Sequence, residues 1–310
     1  MKYDVITFGG AVVDAFVETN VVKKKRMLSF PAGQKLLMDD LNFSTGGGAT
    51  NSAAAFSKMG LKTGCAVKLG KDENANLILK DLKKFKIKFL GTQGKKPTGF
   101  SVVLIGKNKS RTIISEKGAS DSLSFRELDL KEMDAKWFYF SSSLGKTLRA
   151  QKKLAKFARK NGIKVAYNPS SYLTINGPRK IRSLLKNVDV LILNKEEARG
   201  LAKQAYLFEG LHKLGPRIVC ITDGPHGNSV SDGSRIFISK PRKIKVVERT
   251  GAGDAFASGF VAALIRGKKL EDAIRIGSVN SESVIRKEGA KNGLLSWGSA
   301  LKEMNKIRVV

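Results

Sequence analysis

The sequence predicts an α/β protein with a mostly parallel sheet flanked by helices, and three observations support this prediction. Short strand-like runs alternate with longer helical runs along most of the chain. Two segments, residues 12–42 and 94–121, break the alternation and read as extended pieces separated by turns. Two glycine turns each lead directly into a helix of small residues. A layered α/β core with an inserted β-rich part is therefore expected.

The strand and helix candidates follow one another in the order that parallel pairing requires. The expected strands are Val5–Phe8, Thr63–Lys68, Trp137–Phe140, Lys164–Tyr167, Val190–Leu193 and Ile218–Thr222. The expected helices are Thr50–Met59, Asn74–Phe85, Leu148–Lys160, Ile181–Asn187, Lys195–Ala202, Asp254–Arg266 and one from Leu270 towards Arg286. Because helices separate most of the strands, crossover connections and a parallel sheet are predicted.

The composition is that of a globular protein. Hydrophobic residues make up 42% of the 310 residues and charged residues 27%, both ordinary values. The sequence has no uncharged apolar run long enough for a membrane span, and its first residues do not resemble a signal peptide. Cys65 and Cys220 lie in apolar runs and are expected to be buried, reduced thiols, whereas His212 and His226 have no metal-ligand spacing. These features predict a cytoplasmic protein without a membrane partner.

The net charge is unusually positive. The chain has 57 Lys and Arg against 27 Asp and Glu, a formal charge of +30. Basic clusters occur at residues 23–26 and 83–88, but the other basic residues are spread over nearly every helix. No zinc-finger spacing, basic zipper or aromatic RNA-binding signature accompanies them. We therefore expect non-specific attraction of anions and no specific nucleic-acid partner.

A glycine turn before an apolar helix carries the clearest chemical signal. In the segment 248–260, Gly251 and Gly253 allow the backbone to turn and to direct N–H groups at one point. The positive end of the following helix dipole would help to hold an anion there. Asp254 would repel that anion, so it suits a base that takes a proton from a hydroxyl attacking a phosphoryl group. The alternative is that Asp254 caps the helix.

A second glycine turn completes a family resemblance. Residues 46–56 again join glycines to a small-residue helix, and the two segments together resemble the two signatures of the ribokinase-type (PfkB) carbohydrate and nucleoside kinase family. The resemblance extends over essentially the whole chain, through Gly9, Gly10, Asp14, Asn194 to Glu197, Thr222 to Gly227, and Asn280 to Ala290. It implies one ribokinase-like domain over residues 1–310, with insertions 12–42 and 94–121 forming a small β-sheet lid over the sugar site.

The resemblance also implies a mechanism. Asp254 becomes the general base, and Gly251, Ala252 and Gly253 become the anion hole for the transferred phosphoryl group. ATP is the implied co-substrate, and Asn194 and Glu197 match the element that positions Mg²⁺ and the nucleotide phosphates. Their spacing equally predicts a helix capping box, and both descriptions can hold together.

Further residues are implied to bind the two substrates. Thr222, Gly224 and Gly227 resemble the strand and turn that receive the nucleotide, and Asn280 falls on the helix bordering the adenine. A polar residue on a solvent-exposed face would explain Asn280 equally well.

On the acceptor side, Asp14 is the candidate for gripping two sugar hydroxyls, and Gly47 and Asn51 match positions close to the sugar. Phe16 and Phe100 could stack on a ring, but ordinary packing is the favoured interpretation.

Two departures from the family pattern affect the expected ligands. Glu248 stands where many relatives carry Asp near a potassium ion, which puts K⁺ activation in doubt without removing it. Gly48 replaces a lysine found in ribokinases, so a fixed cation is missing and an uncharged sugar or a nucleoside is favoured as acceptor. A sugar-phosphate kinase is the alternative, with other Lys and Arg residues supplying the cation. A homodimer formed through the lid is compatible with the resemblance.

Overall fold

A computed structural model of the chain describes residues 1–25, 27–107 and 110–310. Arg26 of the first basic cluster, and Asn108 and Lys109 of the second predicted lid segment, lie outside the described residues. The strands are β1 (Tyr3–Phe8), β2 (Val12–Glu18), β3 (Lys23–Lys24), β4 (Met27–Leu28), β5 (Asp40–Gly46), β6 (Thr63–Ala66), β7 (Lys68–Leu69), β8 (Lys88–Phe89), β9 (Thr92–Gln93), β10 (Gly99–Ile105), β11 (Arg111–Glu116), β12 (Ala135–Ser141), β13 (Lys164–Asn168), β14 (Val190–Asn194), β15 (Ile218–Thr222), β16 (Asn228–Ser231) and β17 (Ile236–Ser239).

The α-helices connect and flank these strands. They are α1 (Gly48–Lys58), α2 (Glu73–Lys84), α3 (Gly145–Lys160), α4 (Ser171–Thr174), α5 (Arg182–Leu185), α6 (Lys195–Leu201), α7 (Leu207–His212), α8 (Ala252–Ile265), α9 (Leu270–Val284) and α10 (Trp297–Met304). In the described ranges, none of them is both long and apolar enough to cross a bilayer.

The main sheet has nine strands in the order β17-β16-β15-β14-β13-β12-β1-β6-β8. In this order, the strands β15-β14-β13-β12-β1-β6-β8 run parallel to one another. Strand β16 is antiparallel to β15, and β17 is antiparallel to β16. Each of the six predicted strands overlaps a strand of this sheet, so the predicted α/β class is confirmed. Along the chain, β6 and β8 are added on one side of β1, and β12 and the later strands are then added on its other side. The strand order therefore reverses between β1 and β12, which is where ligands bind in open α/β sheets.

Helices cover both faces of the sheet because the central strands are apolar on both sides. On β12, Phe138 and Phe140 are buried with Leu154 of α3, whereas Tyr139 between them is buried on the other face with Phe56 of α1. This alternation follows from the two-residue period of a strand. The central parallel strands are consequently covered by helices on both faces.

Small residues let α8 and α9 approach closely. A Cβ on Gly259 would lie 3.1 Å from the Cα of Gly277, and the α8 side chains from Ala255 to Ala263 are all buried. The apolar, small-residue character that marked this helix in the sequence is thus a packing requirement.

A separate four-stranded sheet, here called the lid, has the order β11-β10-β2-β5. Strand β10 pairs in parallel with β2, placing Ser101 beside Asp14, while β5 runs antiparallel and places Ser44 on the other side of Asp14. The prediction of a small sheet from the two segments is confirmed. Strand β5 continues through Gly47 into α1, so the lid is joined directly to a core helix. The extent of the insertions and of a single 1–310 domain stay predictions.

Several elements differ from the sequence prediction. Thr63–Lys68 is not one strand but β6 followed by β7, which pairs with β9 in its own two-stranded sheet. The antiparallel pair β16–β17 was not predicted, because only Val230 and Ser231 of β16 are buried and the strand lacks an apolar run. The final residues return to this edge, where the Ile238 N–H donates to the Val310 carbonyl at 2.8 Å and the Lys240 N–H donates to the Arg308 carbonyl at 3.1 Å.

The cysteines behave as expected. Cys65 and Cys220 are both free and buried. Burial raises the pKa of the Cys65 thiol to about 11 and raises that of Cys220 as well. Both therefore remain protonated near neutral pH, which confirms the expected buried thiols.

Asp72 links the start of α2 to the start of lid strand β10. Its carboxylate accepts hydrogen bonds from the Ala75 N–H at 2.9 Å, from the Thr98 N–H at 2.7 Å and from the Thr98 hydroxyl at 2.7 Å. Burial alone would raise the pKa of Asp72, but these bonds outweigh it and hold the pKa below its ordinary value. The ionised form thus stabilises the fold.

We predict that Asp72→Ala lowers the free energy of unfolding by about 2 kcal/mol, because the helix loses its cap and the Thr98 N–H loses its acceptor. Since the folded pKa is depressed, this contribution is present above about pH 4 and disappears as the pH falls through the lower folded value. Urea unfolding at pH 7 and at pH 3 measures both effects. The neighbouring Glu73→Ala is the control, expected to change stability by less than about 0.5 kcal/mol. Equal losses for the two variants would contradict the linking role.

Candidate active site

A cleft of about 370 Å³ opens at the carboxyl ends of the parallel strands, at the predicted switch point of the sheet. It lies at the ends of β12, β13, β14 and β15 and at the start of α1 and α8. Of the residues predicted from the sequence, it is lined by Asn194, Glu197, Thr222, Gly251, Gly253 and Asp254. Residues that are far apart in the chain thus meet in one cleft.

The turn before α8 requires glycine at its first position. Gly251 has a φ of 76°, and a Cβ there would lie 2.5 Å from the Cβ of Ala290. Gly251 is also the N-cap residue of α8 and has no side-chain cap. Asp254 is in the first turn of the helix but does not cap it, so the capping alternative for Asp254 is wrong.

The Asp254 carboxyl is partly exposed at the cleft but surrounded by protein. Burial raises its pKa to about 6, although a hydrogen bond from Asn51 and the positive charge of Lys291 both act to lower it. The Asn51 amide donates to Asp254 Oδ2 at 2.9 Å. The carboxylate can therefore accept a proton near neutral pH far better than an exposed aspartate could.

The backbone of the turn has N–H groups available for an anion. The Ala252 N–H donates to the Arg249 carbonyl at 3.3 Å, so the predicted role of Ala252 competes with a bond inside the turn. In the described part of the chain, the N–H groups of Gly251 and Gly253 have no backbone acceptor. They lie at the N-terminus of α8, where the helix dipole also favours negative charge.

Gly48 faces Asp254 across the cleft. A Cβ on Gly48 would lie 3.6 Å from Asp254 Oδ1 but only 2.7 Å from the Cβ of Ser141. A side chain at this position would therefore displace Ser141. The packing around position 48 therefore favours glycine in this chain.

Asn194 and Glu197 form a capping box at the start of α6. The Glu197 N–H donates to Asn194 Oδ1 and the Asn194 N–H donates to Glu197 Oε2, each at 2.9 Å. The capping interpretation is confirmed, and both residues also line the cleft. Glu197 is 7% exposed, and burial raises its pKa. No Lys or Arg among the described residues forms an ion pair with it. Its carboxylate and the Asn194 amide are oxygen donors of the kind that Mg²⁺ prefers.

Of the other residues predicted to bind the nucleotide, only Thr222 lines the cleft in the described part of the chain. Thr222 lines the cleft, and its hydroxyl donates to the Leu193 carbonyl at 3.3 Å. Gly224 and Gly227 both have positive φ values and lie in the turn after β15, outside the lining of the cleft. The Asn280 side chain is fully buried, so a solvent-facing position is wrong. Its amide donates to the Ala255 carbonyl at 2.7 Å, which ties α9 to α8. It also accepts from the Leu295 N–H at 3.0 Å, which ties α9 to the segment before α10.

The acceptor-side residues lie where the lid joins the core. Gly47 has a φ of 98°, and a Cβ there would lie 2.5 Å from the Gly10 carbonyl oxygen. Asp14 lies beside Gly46, where a Cβ would come within 2.1 Å of Asp14 Oδ2. Burial raises the pKa of Asp14, against a hydrogen bond from Ser101 and the charges of Lys117 and Lys291. In this structure the Asn51 side chain contacts Asp254, so its contact with a sugar stays a prediction.

A second cavity of about 640 Å³ separates the lid from residues 246–249 and 288–292. Phe16 lines it, whereas Phe100 packs against the core cluster beside α2, as the packing interpretation predicts. Glu248 also lines this cavity, where Oε2 accepts from the Gly289 N–H at 2.7 Å and Oε1 lies 3.5 Å from Arg111 Nη1. The predicted cation ligand is therefore already bonded to the protein.

The sequence patterns did not predict the polar cleft residues at the ends of β12 and β13, nor those that follow lid strand β11. The cleft is also lined by Ser141, Ser142, Ser143, Asn168, Ser170, Lys117 and Asp121. Polar residues directly after an apolar parallel strand were the available signal, because such strand ends meet at one edge.

Comparison with known proteins agrees with this geometry. The family described as pfkB family carbohydrate kinase matches residues 11–297. A ribokinase from Haemophilus influenzae is 27% identical over 280 residues, covering 84% of this chain and 88% of that protein.

Two solved structures share the fold. The ribokinase of Arabidopsis thaliana complexed with ribose and ATP has a TM-score of 0.84 at 22% identity, covering 98% of this chain and 99% of that one. A putative ribokinase II from E. coli in complex with ATP and Mg²⁺ has a TM-score of 0.82 at 18% identity, covering 98% and 99%. The family match over most of the chain is the deciding observation: this chain belongs to the pfkB family of carbohydrate kinases.

Proposed function

We propose that the protein transfers the γ-phosphoryl group of ATP to a hydroxymethyl group of a sugar or nucleoside. One observation carries the proposal: the Asp254 carboxylate lies at the N-terminus of α8, next to the N–H groups of Gly251 and Gly253, which have no backbone acceptor among the described residues. A proton acceptor and an anion-binding turn in one cleft are the two parts that in-line phosphoryl transfer requires. Membership in a carbohydrate kinase family supports the same reaction.

In this mechanism Asp254 accepts the proton of the acceptor hydroxyl as that oxygen attacks the γ-phosphorus. The Asn51 amide keeps the carboxylate oriented through its hydrogen bond. The N–H groups of the glycine turn stabilise the negative charge on the transferred group, and ADP leaves on the opposite side. Closure of the lid would exclude water and favour transfer over hydrolysis.

Mg²⁺ fits the donor set of the cleft. Glu197 and Asn194 would hold the ion, in part through water, since both offer oxygen atoms at the rim of the nucleotide side. Bound there, Mg²⁺ would neutralise charge on the nucleotide phosphates. The ATP and Mg²⁺ bound to the E. coli neighbour support this assignment.

Potassium activation stays a prediction. The Glu248 carboxylate is bonded to the Gly289 N–H and lies near Arg111, so a monovalent cation at this place would compete with the Arg111 guanidinium.

The remaining partner assignments are proposals as well. Exposed apolar residues on the outer lid strands, Phe43, Ile113 and Ile114 among them, support a homodimer formed through the lid. No specific nucleic-acid partner is proposed, because the positive charge is dispersed. A reaction that uses ATP and a protein with two free buried thiols are in keeping with the cytoplasm.

A sugar phosphate is the second candidate acceptor. Lys117 lines the cleft together with Gly48 and Asp254, so a cation is available near the missing family lysine. Its charge also acts on Asp14. This arrangement could bind an acceptor phosphate without any residue at position 48.

The Asp254 assignment predicts that Asp254→Asn lowers kcat by at least about a hundredfold with ATP binding retained, because an amide cannot accept the proton. In the wild type, kcat/KM for the acceptor should fall as the pH drops below about 6, where the carboxyl becomes protonated. Steady-state kinetics and calorimetric ATP titration test both statements. Asp134→Asn, at an exposed carboxylate, is the control. Near-normal turnover in Asp254→Asn would reject Asp254 as the base.

The metal assignment predicts that Glu197→Gln raises the Mg²⁺ concentration for half-maximal activity several-fold. Glutamine keeps an oxygen that accepts from the Asn194 N–H, so the capping box and the melting temperature should be retained. The exposed neighbour Glu196→Gln is the matched control. If both variants have the wild-type Mg²⁺ dependence, Glu197 serves only as a cap.

A phosphorylation screen over sugars, nucleosides and sugar phosphates, with ADP release as readout, identifies the acceptor. We expect the highest kcat/KM for an uncharged sugar or a nucleoside, and little change in Lys117→Met. If a sugar phosphate is preferred instead, Lys117→Met should raise its KM at least about tenfold, because a charge-assisted contact is lost. Lys131→Met, on the exposed surface, controls for the loss of one positive charge. Lack of transfer to every acceptor would overturn the proposed function.

A further inference from the structure

Lys291 forms a hydrogen-bonded cluster with two residues that the mechanism above does not use. Its Nζ lies 2.5 Å from Asp81 Oδ2 and donates to the Thr45 hydroxyl at 2.8 Å. The Thr45 hydroxyl donates in turn to Asp81 Oδ2 at 2.6 Å. The Lys291 side chain is 9% exposed and that of Asp81 is 21% exposed. A lysine is thus nearly buried beside a single carboxylate.

The cluster joins three elements at the base of the lid. Thr45 is next to last in lid strand β5, directly before the Gly46–Gly47 turn into α1. Asp81 is on α2, and Lys291 is on the segment that follows α9. The same turn leads to Asn51, whose amide is bonded to Asp254. The three side chains therefore hold in place the turn that leads to Asn51, the hydrogen-bond partner of Asp254.

The segment that carries Lys291 also contacts the catalytic turn. The Gly289 N–H donates to Glu248. Ala290 packs so closely on Gly251 that a Cβ on Gly251 would overlap the Ala290 side chain. Residues 289–291 consequently touch both ends of the site: the glycine turn before α8 and the base of the lid.

The charge of Lys291 acts on groups from several elements. It lowers the pKa of Asp254 on α8 and of Asp14 on β2, and it acts on Cys65 on β6. The pKa of Lys291 is itself lowered by burial, against its pairing with Asp81. Asn51 on α1 and Tyr139 on β12 also interact with Asp254, and Lys117, Asp121 and Glu197 line the same cleft.

A buried ion pair is weak evidence for a role in stability. Removing two charges from water costs about as much as their attraction returns, and apolar replacements are often equally stable. This pair links the base of the lid to the segment that packs on the glycine turn before α8, so its contacts favour a role in the active site.

We propose, on the basis of the proposed kinase function, that Lys291 is a positioning residue for the transfer reaction: with Asp81 and Thr45 it holds the base of the lid and the turn that leads to Asn51, and it places a positive charge on the segment that packs against the glycine turn before Asp254.

The test compares the wild type with Lys291→Met, Lys291→Arg and the double variant Lys291→Met/Asp81→Leu. The double variant removes both charges and leaves no orphan carboxylate, so it keeps the test valid if the single variant is unstable. Lys306→Met, from an exposed pair with Glu303, is the control. Carbon-13 NMR of labelled aspartate, assigned with Asp254→Asn, reports the titration of Asp254 in ligand-free protein, and kcat/KM reports its effect on transfer.

Loss of Lys291 should raise the pKa of Asp254 by roughly half a unit or more, because a nearby positive charge favours the ionised form. The pH below which kcat/KM falls should rise by the same amount. The KM for the acceptor should also rise, whereas the KM for ATP should change little. Lys291→Arg should bring this pH partly back to the wild-type value, and Lys306→Met should leave it unchanged. An unmoved Asp254 titration in both Lys291→Met variants would overturn the proposal, even if their melting temperatures fall. A wild type inactive on every acceptor would reject the kinase function instead, and the NMR result would still decide the role of Lys291.

Discussion

The close approach of α8 to α9 is the constraint on which the rest of the site depends. The two helices meet at Gly259 and Gly277 with no room for larger side chains, and the buried Asn280 amide on α9 donates a hydrogen bond to the Ala255 carbonyl on α8. This packing fixes the axis of α8 and therefore the point at which its first turn ends. Asp254 and the free N–H groups of the glycine turn are consequently held by the core and not by a mobile loop. A rigid carboxylate beside a rigid glycine turn would suit the proposed phosphoryl transfer, in which positioning supplies much of the rate.

The same carboxylate illustrates how burial and charge are balanced in the cleft. Burial raises the pKa of Asp254, whereas Asn51 and Lys291 act against that rise. A fully compensated aspartate would be too weak a base, and an uncompensated one would stay protonated at neutral pH. A pKa of about 6 lies between these extremes. Residues from α1 and from the segment after α9 thus determine the chemistry of a side chain on α8.

Much of the fold and of the site could be predicted from the sequence because both leave local patterns. The strands from β1 to β15 that were predicted are apolar runs, and the two glycine turns stand next to the helices that they start. Ser141, Asn168 and Lys117 were missed since single polar residues after strands have no distinctive pattern in one sequence. Lys291 was missed for another reason. Among so many lysines, its burial depends on Asp81 and Thr45, more than two hundred positions away in the chain. Such long-range pairing is a property of the tertiary structure alone.

The return of the final residues to β17 has a consequence for the behaviour of the protein in concentrated solution. A strand at the end of a sheet offers unpaired backbone groups to other molecules, and such edges promote aggregation. Here the Ile238 and Lys240 N–H groups are already bonded to Val310 and Arg308. At the opposite end, β8 has two residues, one of which is Lys88. Both ends of the main sheet are therefore poor templates for association, and a peptide tag fused after Val310 would lie beside one of these protected edges.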